Sequence, residues 1–556
     1  VPYNEAMETI AIIGGGAAGL AAAVAAARAT GAAQGVAPAR AAGAMQDVVP
    51  ARATRGEKTS EDRMPGVSAA PAREAHGGIE VVVFEADERV GRSILATGNG
   101  RCNFSNAHVE AGCYRNAAFV AAAFGALEAC CVRQGHAAAS DDTGVSATLE
   151  GVGMAGFSGG ADEGACGGSV GCASGSVGAC SCPCAGDPVH AFFAELGLMW
   201  REEGEGRLYP LANKASSVLD VLRAALARWG VRTACERRAT RIDAPERPDG
   251  RYHVRFADGS VAHARSVIVA TGGRTARDLL PGGLPFVGQR SVLGPLRTDP
   301  TLTKPLNNIR VRCASTLVGP DGAPKAAETG EVLFRDYGVS GIAVFNLSRF
   351  AEPGDLLLLD LLPQLEGRAC ESELRARYGR LGAPTGEELL TGVLLPAVAR
   401  AACKQAGLRA ESPLGRDDVP ALARALKAFP LEVRGVGDAR QCQVTRGGFA
   451  VEAFDPATME ARALPGLFVV GEALDVDAPC GGHNLHWAWA SGLLAGAAAA
   501  KRLAAGTVLR HGAGAVTCHA ARHADVQDGE NAVGRHAAVD STASEYGSAQ
   551  REGTRP

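Results

Sequence analysis

Four short apolar runs stand out along the chain: Ile10 to Ile13, Ile79 to Phe84, Ser266 to Ala270 and Leu467 to Val470. Runs this short, almost free of polar residues, predict strands buried on both faces of a parallel sheet. The first run leads through Gly14-Gly-Gly16-Ala17-Ala18-Gly19 into Leu20 to Arg28, an alanine-rich, helix-forming stretch. The three spaced glycines therefore fall at a strand-to-helix turn, where Gly14 permits the bend. Gly16 lets the backbone approach a phosphate, and Gly19 lets the helix pack on the strand. The helix N-terminus adds free N–H groups and a partial positive charge, so the turn is read as a dinucleotide pyrophosphate seat.

The glycine pattern alone is weak in a chain with 72 glycines, and Gly151-Val-Gly153-Met-Ala-Gly156 matches it too. No strand precedes that second match and its surroundings are low in complexity, so it is set aside. The second strand ends in Glu85, a ribose acceptor by position, yet Glu85 lies about 65 residues beyond Gly19 rather than the usual ~20. Residues 32–78 fill the gap with a repeated Pro-Ala-Arg theme and few large apolar residues, and read as a disordered insertion.

Between Glu88 and Asn106, glycines alternate with Arg92, Thr97, Asn99, Arg101, Cys102 and Asn103, a loop able to approach a ligand closely while offering polar groups. The run from Ser266 ends in Thr271-Gly272-Gly273, small enough to lie against a dinucleotide. The last run ends in Gly471-Glu472 and continues through Asp475, Asp477, Cys480 and Gly481-Gly482-His483-Asn484-Leu-His486 into a predicted helix to about Leu503. That helix aims its positive end at whatever lies beyond Gly482, which favours a reduced, negatively charged flavin. The first and last motifs together read as two halves of one FAD site.

A chain of 556 residues, 46% hydrophobic and 21% charged, has room for two or three globular domains. Its formal charge of -4 supplies no basic footprint, so nucleic acid is not expected as the main ligand. No basic segment followed by a cleavable apolar stretch begins the sequence, and a cytoplasmic location is expected. Met7 stands directly before the first strand and is a candidate start. Ile10 to Ala27 is long enough for a membrane span by length alone, but its glycines fit the strand-turn-helix better. The 16 cysteines are expected to be reduced thiols. Cys166, Cys172, Cys180, Cys182 and Cys184 cluster in a low-complexity segment (137–186) without zinc spacing, so no metal site is expected. Residues 506–556 read as an unstructured tail.

The segments VGRSILATGNGRCNFSN (90–106), RLYPLANKASSVLDVL (207–222), VIVATGG (267–273), GEVLFRDYGVSGIAVFNLSR (330–349), QVTRGG (443–448) and GLFVVGEALDVDAPCGGHNLHWAWASG (466–492) join the first glycine motif in resembling the HI0933-like flavoproteins. These are also described as BaiN-type or aminoacetone-oxidase-type FAD-dependent oxidoreductases. The resemblance implies an α/β fold: a Rossmann-like, two-dinucleotide-binding-type FAD domain (7–31, 79–136, 187–280 and 441–505) interrupted by a β-barrel-like substrate domain at 281–440. Strand-like runs around Thr316 and from Glu331 to Asn346, and helical patterns from Glu371 to Lys427, suit that barrel and a helical cap at about 364–430.

By the same resemblance, Gly14, Gly16, Ala17, Ala18 and Gly19 hold the pyrophosphate and Glu85 the adenosine ribose. Arg92, Thr97, Asn99, Arg101, Cys102 and Asn103 line the loop beside the flavin, and Thr271 and Gly272 lie by the dinucleotide. Gly471, Glu472, Gly482, His483 and Asn484 close the ribityl and isoalloxazine side. The family usually has Gly-Gly-Tyr-Asn-Leu-Gln where this chain has Gly481-Gly482-His483-Asn484-Leu485-His486, so two imidazoles replace a phenol and a carboxamide. His483 and His486 are candidate proton donors, Cys480 and Cys102 are flavin-proximal thiols without a CxxC pair, and Tyr337 is a candidate cavity residue. With one credible dinucleotide fingerprint, NADH or NADPH is expected only as a transient electron donor. The implied activities are reduction of an enone C=C bond in a hydrophobic small molecule, oxidation of a small amine with peroxide release, or flavin-dependent RNA modification.

Overall fold

The computed structural model describes residues 8–33, 78–139 and 186–520, apart from 248, 249, 274 and 281. The decoy glycine motif, the clustered cysteines from Cys166 to Cys184 and most of both insertions lie outside the described residues.

The four apolar runs form four neighbouring strands of one parallel sheet. Its order is Leu467–Val469, Ser266–Val269, Glu8–Ile13, Ile79–Phe84 and Arg232–Ala234, so the glycine-bearing strand is central. Ile10, Ile12, Val82, Val83, Val267, Ile268 and Leu467 are fully buried, which explains their lack of polar alternation. Helix Ala17–Ala33 packs on this sheet and helix His483–Ala520 packs on Ala17–Ala33 in turn: a Cβ on Gly492 or Gly496 would fall 2.3 Å from Ala18 O or 2.2 Å from Ala22 O. Glycine here lets two helix backbones touch. Helix His483–Ala520 includes residues 506–520, where the sequence reading expects an unstructured tail; Leu509, Arg510 and the alanines there favour helix and no proline interrupts it.

A second hydrophobic core is built from residues 296–433. Its frame is a closed six-stranded barrel: Leu296–Thr298, Gly338–Ser340, Pro324–Arg335, Arg310–Val318, Leu356–Asp360 and Phe429–Val436. Alternate residues fill the interior, among them Cys313, Leu317, Val332, Phe334, Leu357, Leu359, Leu431 and Val433. Between the last two strands in sequence lie helices Ala369–Leu381, Gly386–Leu390, Pro396–Gln405 and Val419–Lys427, which contribute Leu374, Leu389, Val398 and Leu422 to the same core. A two-stranded antiparallel ribbon, Phe286–Val292 with Val444–Phe449, carries the chain out to the barrel and back.

Candidate functional site

The glycine turn closes tightly at the end of strand Glu8–Ile13. Gly14 has φ 106° and its N–H donates to Phe84 O at 2.8 Å; a Cβ there would lie 2.5 Å from Ala270 O. A Cβ on Gly19 would lie 1.9 Å from Gly14 O, so only glycine lets the helix start this close to the strand. Glu85 accepts from Gly15 N at 2.6 Å and from Asp87 N at 2.9 Å, which fixes its carboxylate across the turn. Ala17 and Ala18 form the first helical residues, with Ala18 buried against Gly471. Gly272 sits at φ 72° with open space where a Cβ would stand, and the neighbouring Thr271 hydroxyl is buried without a partner.

The loop from Gly91 to Asn103 is held in an unusual backbone shape. Gly98, Asn99, Gly100 and Cys102 all have φ between 55° and 81°, and the two non-glycine members cost roughly 1–2 kcal/mol each. Such a cost persists at sites where the neighbouring structure imposes it. Thr97 Oγ1 donates to Ile94 O at 2.6 Å, and Cys102 is buried, its thiol pushed up to about 11 by desolvation. Asn103 Oδ1 is buried without a partner and would lie 3.0 Å from a Cβ on Gly482. The two arginines of this loop turn elsewhere. Arg92 is mostly exposed and pairs with Asp87 at 3.2 Å, while Arg101 bonds Asn213 and Glu203 and lies 4.1 Å over the Tyr209 ring.

The third segment supplies the opposite wall. Gly482 has φ 99°, and a Cβ there would meet Ser105 O at 2.2 Å. His483 opens helix His483–Ala520; Tyr114 Oη donates to its carbonyl at 2.9 Å and its Nδ1 is buried without a partner. Burial, helped by the positive charge of Arg349, lowers its pKa to about 4, so at neutral pH it is an uncharged imidazole rather than the neutral-range acid the sequence suggests. Asn484 spends its amide on the preceding loop, accepting from Ala478 N at 2.9 Å and donating to Ala478 O at 2.8 Å. Glu472 accepts from Thr445 N, bracing the ribbon. His486 belongs to a separate buried cluster: its Nδ1 lies 2.8 Å from Ser105 Oγ and its Nε2 3.4 Å from Asp187.

Cys480 stands where the two cores meet. Its N–H donates to Asn346 Oδ1 at 2.9 Å, its Sγ lies 3.8 Å from Gln443 Oε1, and burial pushes its thiol up to about 12. Desolvation also raises the pKa of Glu328, a barrel residue whose charge Cys480 feels. Nearby, Arg349 donates to Asp477 Oδ1 at 2.7 Å, both groups being buried, with Arg446 at 3.8 Å from the other oxygen. Arg115 binds Asp475 at 2.7 Å. The sequence motifs already contain Ser105, Asn346, Arg349, Gln443, Arg446, Asp475 and Asp477, but no local pattern assigns them a role; Glu328, Asp187 and His190 give no signal at all.

The residues present fit FAD. Thr271 Oγ1, Asn103 Oδ1 and His483 Nδ1 are buried acceptors or donors lacking partners, one from each of the three segments, and buried polar groups are rarely left so. The open flank of Gly272 and the glycine turn leave room at the pyrophosphate end. Two other hollows lie elsewhere. One of about 840 Å³ is lined by Arg241, Asp243, Arg247 and Arg255 on the outer three-stranded sheet. The other, about 270 Å³, includes Tyr337, Phe345 and Gln441 on the barrel, with Tyr337 Oη 3.4 Å from Gln441.

The chain is similar in sequence to several known proteins. A 3-dehydro-bile acid delta(4,6)-reductase of Clostridium scindens is 29% identical over 460 residues, covering 78% of this chain and 96% of that protein. A ribosomal RNA dihydrouridine synthase of Escherichia coli is 25% identical over 440 residues, covering 74% and 90%. Among solved structures, a 3-ketosteroid-delta4-(5alpha)-dehydrogenase of Rhodococcus jostii is 14% identical with a TM-score of 0.38, covering 90% of this chain and 98% of its own, a likeness too slight to carry argument. The HI0933-like protein Rossmann domain matches residues 186–498, more than half of the sequence. The chain therefore belongs to the HI0933-like family.

Proposed function

We propose that this protein is an FAD-dependent oxidoreductase that reduces a carbon–carbon double bond conjugated to a carbonyl, with NADH or NADPH as electron donor. The observation that carries this reading is the set of three buried, unpartnered polar atoms, Thr271 Oγ1, Asn103 Oδ1 and His483 Nδ1, around a glycine cradle of dinucleotide type. The relative from Clostridium scindens, a named reductase aligned over most of both chains, supports the reaction class.

When bound, FAD would supply two-electron chemistry linking a nicotinamide donor to the β-carbon of the enone. The protein must then provide a proton for the α-carbon. His483 carries none to spare near neutrality, because its imidazolium forms only near pH 4. Cys480, a thiol whose backbone N–H is anchored by Asn346, is assigned the donor role. Glu328 stands close enough for its charge to act on this thiol. His483 serves as a hydrogen-bond partner for the cofactor through Nδ1, and Gly14, Gly16 and Gly19 make room for the pyrophosphate.

The test is anaerobic addition of NADPH and then NADH to the purified yellow protein. Bleaching of the flavin by either, followed by reoxidation with a steroidal 4-en-3-one, is expected. A flavin that stays oxidised with both donors, while small amines bleach it and yield peroxide in air, would replace this reading with an amine oxidase.

A second reading takes uridine in RNA as substrate, since dihydrouridine arises by saturating a C=C bond conjugated to a carbonyl, and relatives of that name match the chain. The formal charge of -4 offers little attraction to a polyanion. A two-hydrogen mass gain in unmodified ribosomal RNA incubated with the reduced protein, with no turnover of steroidal enones, would favour it.

A further inference from the structure

Beside the loop that ends at Asn106, Asp187, His190 and His486 converge from parts of the chain about 300 residues apart. Their ligand atoms all lie within 4.8 Å of one another. His486 Nε2 is 3.4 Å from Asp187 Oδ2, and His190 Nδ1 is 3.8 Å from Asp187 Oδ1. Donors about 2.0–2.1 Å from a tetrahedral zinc ion stand ~3.3 Å apart, so a small inward shift closes this set on a metal.

The other side of each ring meets one shared group. Ser105 Oγ lies 2.7 Å from His190 Nε2 and 2.8 Å from His486 Nδ1. A serine hydroxyl has a single proton. If it donates to one imidazole, the other ring must donate its N–H to the serine, and then turns an unprotonated nitrogen toward the Asp187 carboxylate. If the hydroxyl proton points elsewhere, both rings do so. With two neutral imidazoles, at least one lone pair therefore faces a carboxylate across a partly buried gap, a repulsion that a cation at the centre removes.

The surroundings have the form of a metal shell. Asp187 Oδ1 is fixed by Val189 N at 2.9 Å and His190 N at 3.0 Å as the cap of helix Pro188–Glu195, which leaves Oδ2 toward His486. Ser105 orients both rings, the role that outer-shell partners play for metal-bound histidines. Phe104, Phe124 and Trp200 pack around the imidazoles at 5.4–6.4 Å between ring centres and limit water access.

We propose that Asp187, His190 and His486 bind one divalent transition-metal ion, best matched by zinc, with Ser105 positioning both histidines. Bound there, the ion ties helix Pro188–Glu195 and strand Ser105–Asn106 to the first turn of the helix that carries His483. Its role there is structural, the joining of these elements. His486, in the first turn of helix His483–Ala520, supplies the third donor.

The experiment uses the full chain, treated with chelator under reducing conditions and titrated with Co²⁺. One equivalent giving the visible bands of a tetrahedral cobalt site is expected in the wild type, and loss of those bands in His486→Gln and His190→Gln with flavin content unchanged. Absence of the bands in the wild type, or their persistence in both variants, overturns the proposal. Should the variants fail to fold, X-ray absorption on zinc-loaded wild type decides: a nitrogen and oxygen shell is expected, and a sulfur shell from the cysteines overturns it.

Discussion

His483 shows how one residue couples cofactor chemistry to stability. Its pKa is about 6.5 in an unfolded chain and about 4 in the fold, where it lies near Arg349, the Tyr114 ring and His486. The unfolded state therefore takes up this proton first on acidification. Stability from this group is complete above pH 6.5 and falls by about 3 kcal/mol as pH drops to 4, at ~1.4 kcal/mol for each pH unit between the two values. His483→Tyr removes this contribution, so the difference in urea midpoint between variant and wild type should change sharply between pH 6.5 and 4 and stay constant above; a constant difference throughout would refute the buried neutral imidazole. Gly16 tests the pyrophosphate seat. A Cβ there meets only Ser93 Oγ at 3.1 Å, so the fold tolerates it, but a branched side chain projects into the space left for phosphate. Gly16→Val should purify folded and colourless, and a yellow protein would locate the cofactor elsewhere. At this scale the sequence is legible where a residue acts through its own backbone, as Gly14 and Gly19 do. It is illegible where a role depends on a distant neighbour: nothing near Arg101 in sequence reveals that it turns to Glu203, nor that Ser105 meets His486.

The elements that come through most clearly are those whose burial is uniform. Strands such as Ile10 to Ile13 and Val267 to Val269 are apolar on both faces because both faces are covered, and that leaves a contiguous signature. The barrel is less legible, since strand Gly338–Ser340 has three residues and is defined by its neighbours rather than by a pattern of its own. Helix His483–Ala520 combines both cases. Its buried positions mix Trp487, Trp489 and Leu494 with small residues, and Gly492 and Gly496 rest on Ala18 and Ala22 of the first helix. Replacing a helical glycine by alanine gains up to ~1 kcal/mol of helix propensity, whereas overpacking costs about 1–3 kcal/mol. At Gly496 a Cβ would sit 2.2 Å from a backbone oxygen that cannot rotate away, so packing decides the sign. Gly496→Ala is expected to lower stability by ~1–2 kcal/mol, seen as a lower thermal midpoint. Gly125→Ala, in a helix with open space around the same position, should not lower it.

The whole molecule is held at its working geometry by charge across the seam between its two cores. Arg349, which follows the short helix Ile342–Leu347 on the barrel side, donates to the side chain and carbonyl of Asp477 on the cofactor side, at 2.7 and 3.0 Å. Both are nearly inaccessible, and Asp477 Oδ2 has no hydrogen-bond partner. Arg446 and Arg290 crowd the same region, and their guanidinium groups donate to Arg349 O at 2.6 Å each. Burial and repulsion among these cations both lower the pKa of Arg446. Removing Arg349 would leave Asp477 buried with a more distant cation, and breaking a buried pair on one side costs about 3–5 kcal/mol. Removing both charges costs far less, because the desolvation of each is relieved together. Arg349→Leu should therefore lower the denaturant midpoint sharply, Asp477→Leu similarly, and the double variant should recover much of the loss, a coupling of ~2 kcal/mol or more. Because Arg349 also depresses the pKa of His483, the same single variant should raise the pH at which His483 titrates. If the two losses instead add without coupling while the His483 titration stays fixed, the seam is held by apolar contact alone and the charge cluster contributes nothing to bringing Cys480 and Glu328 within reach of the cofactor side.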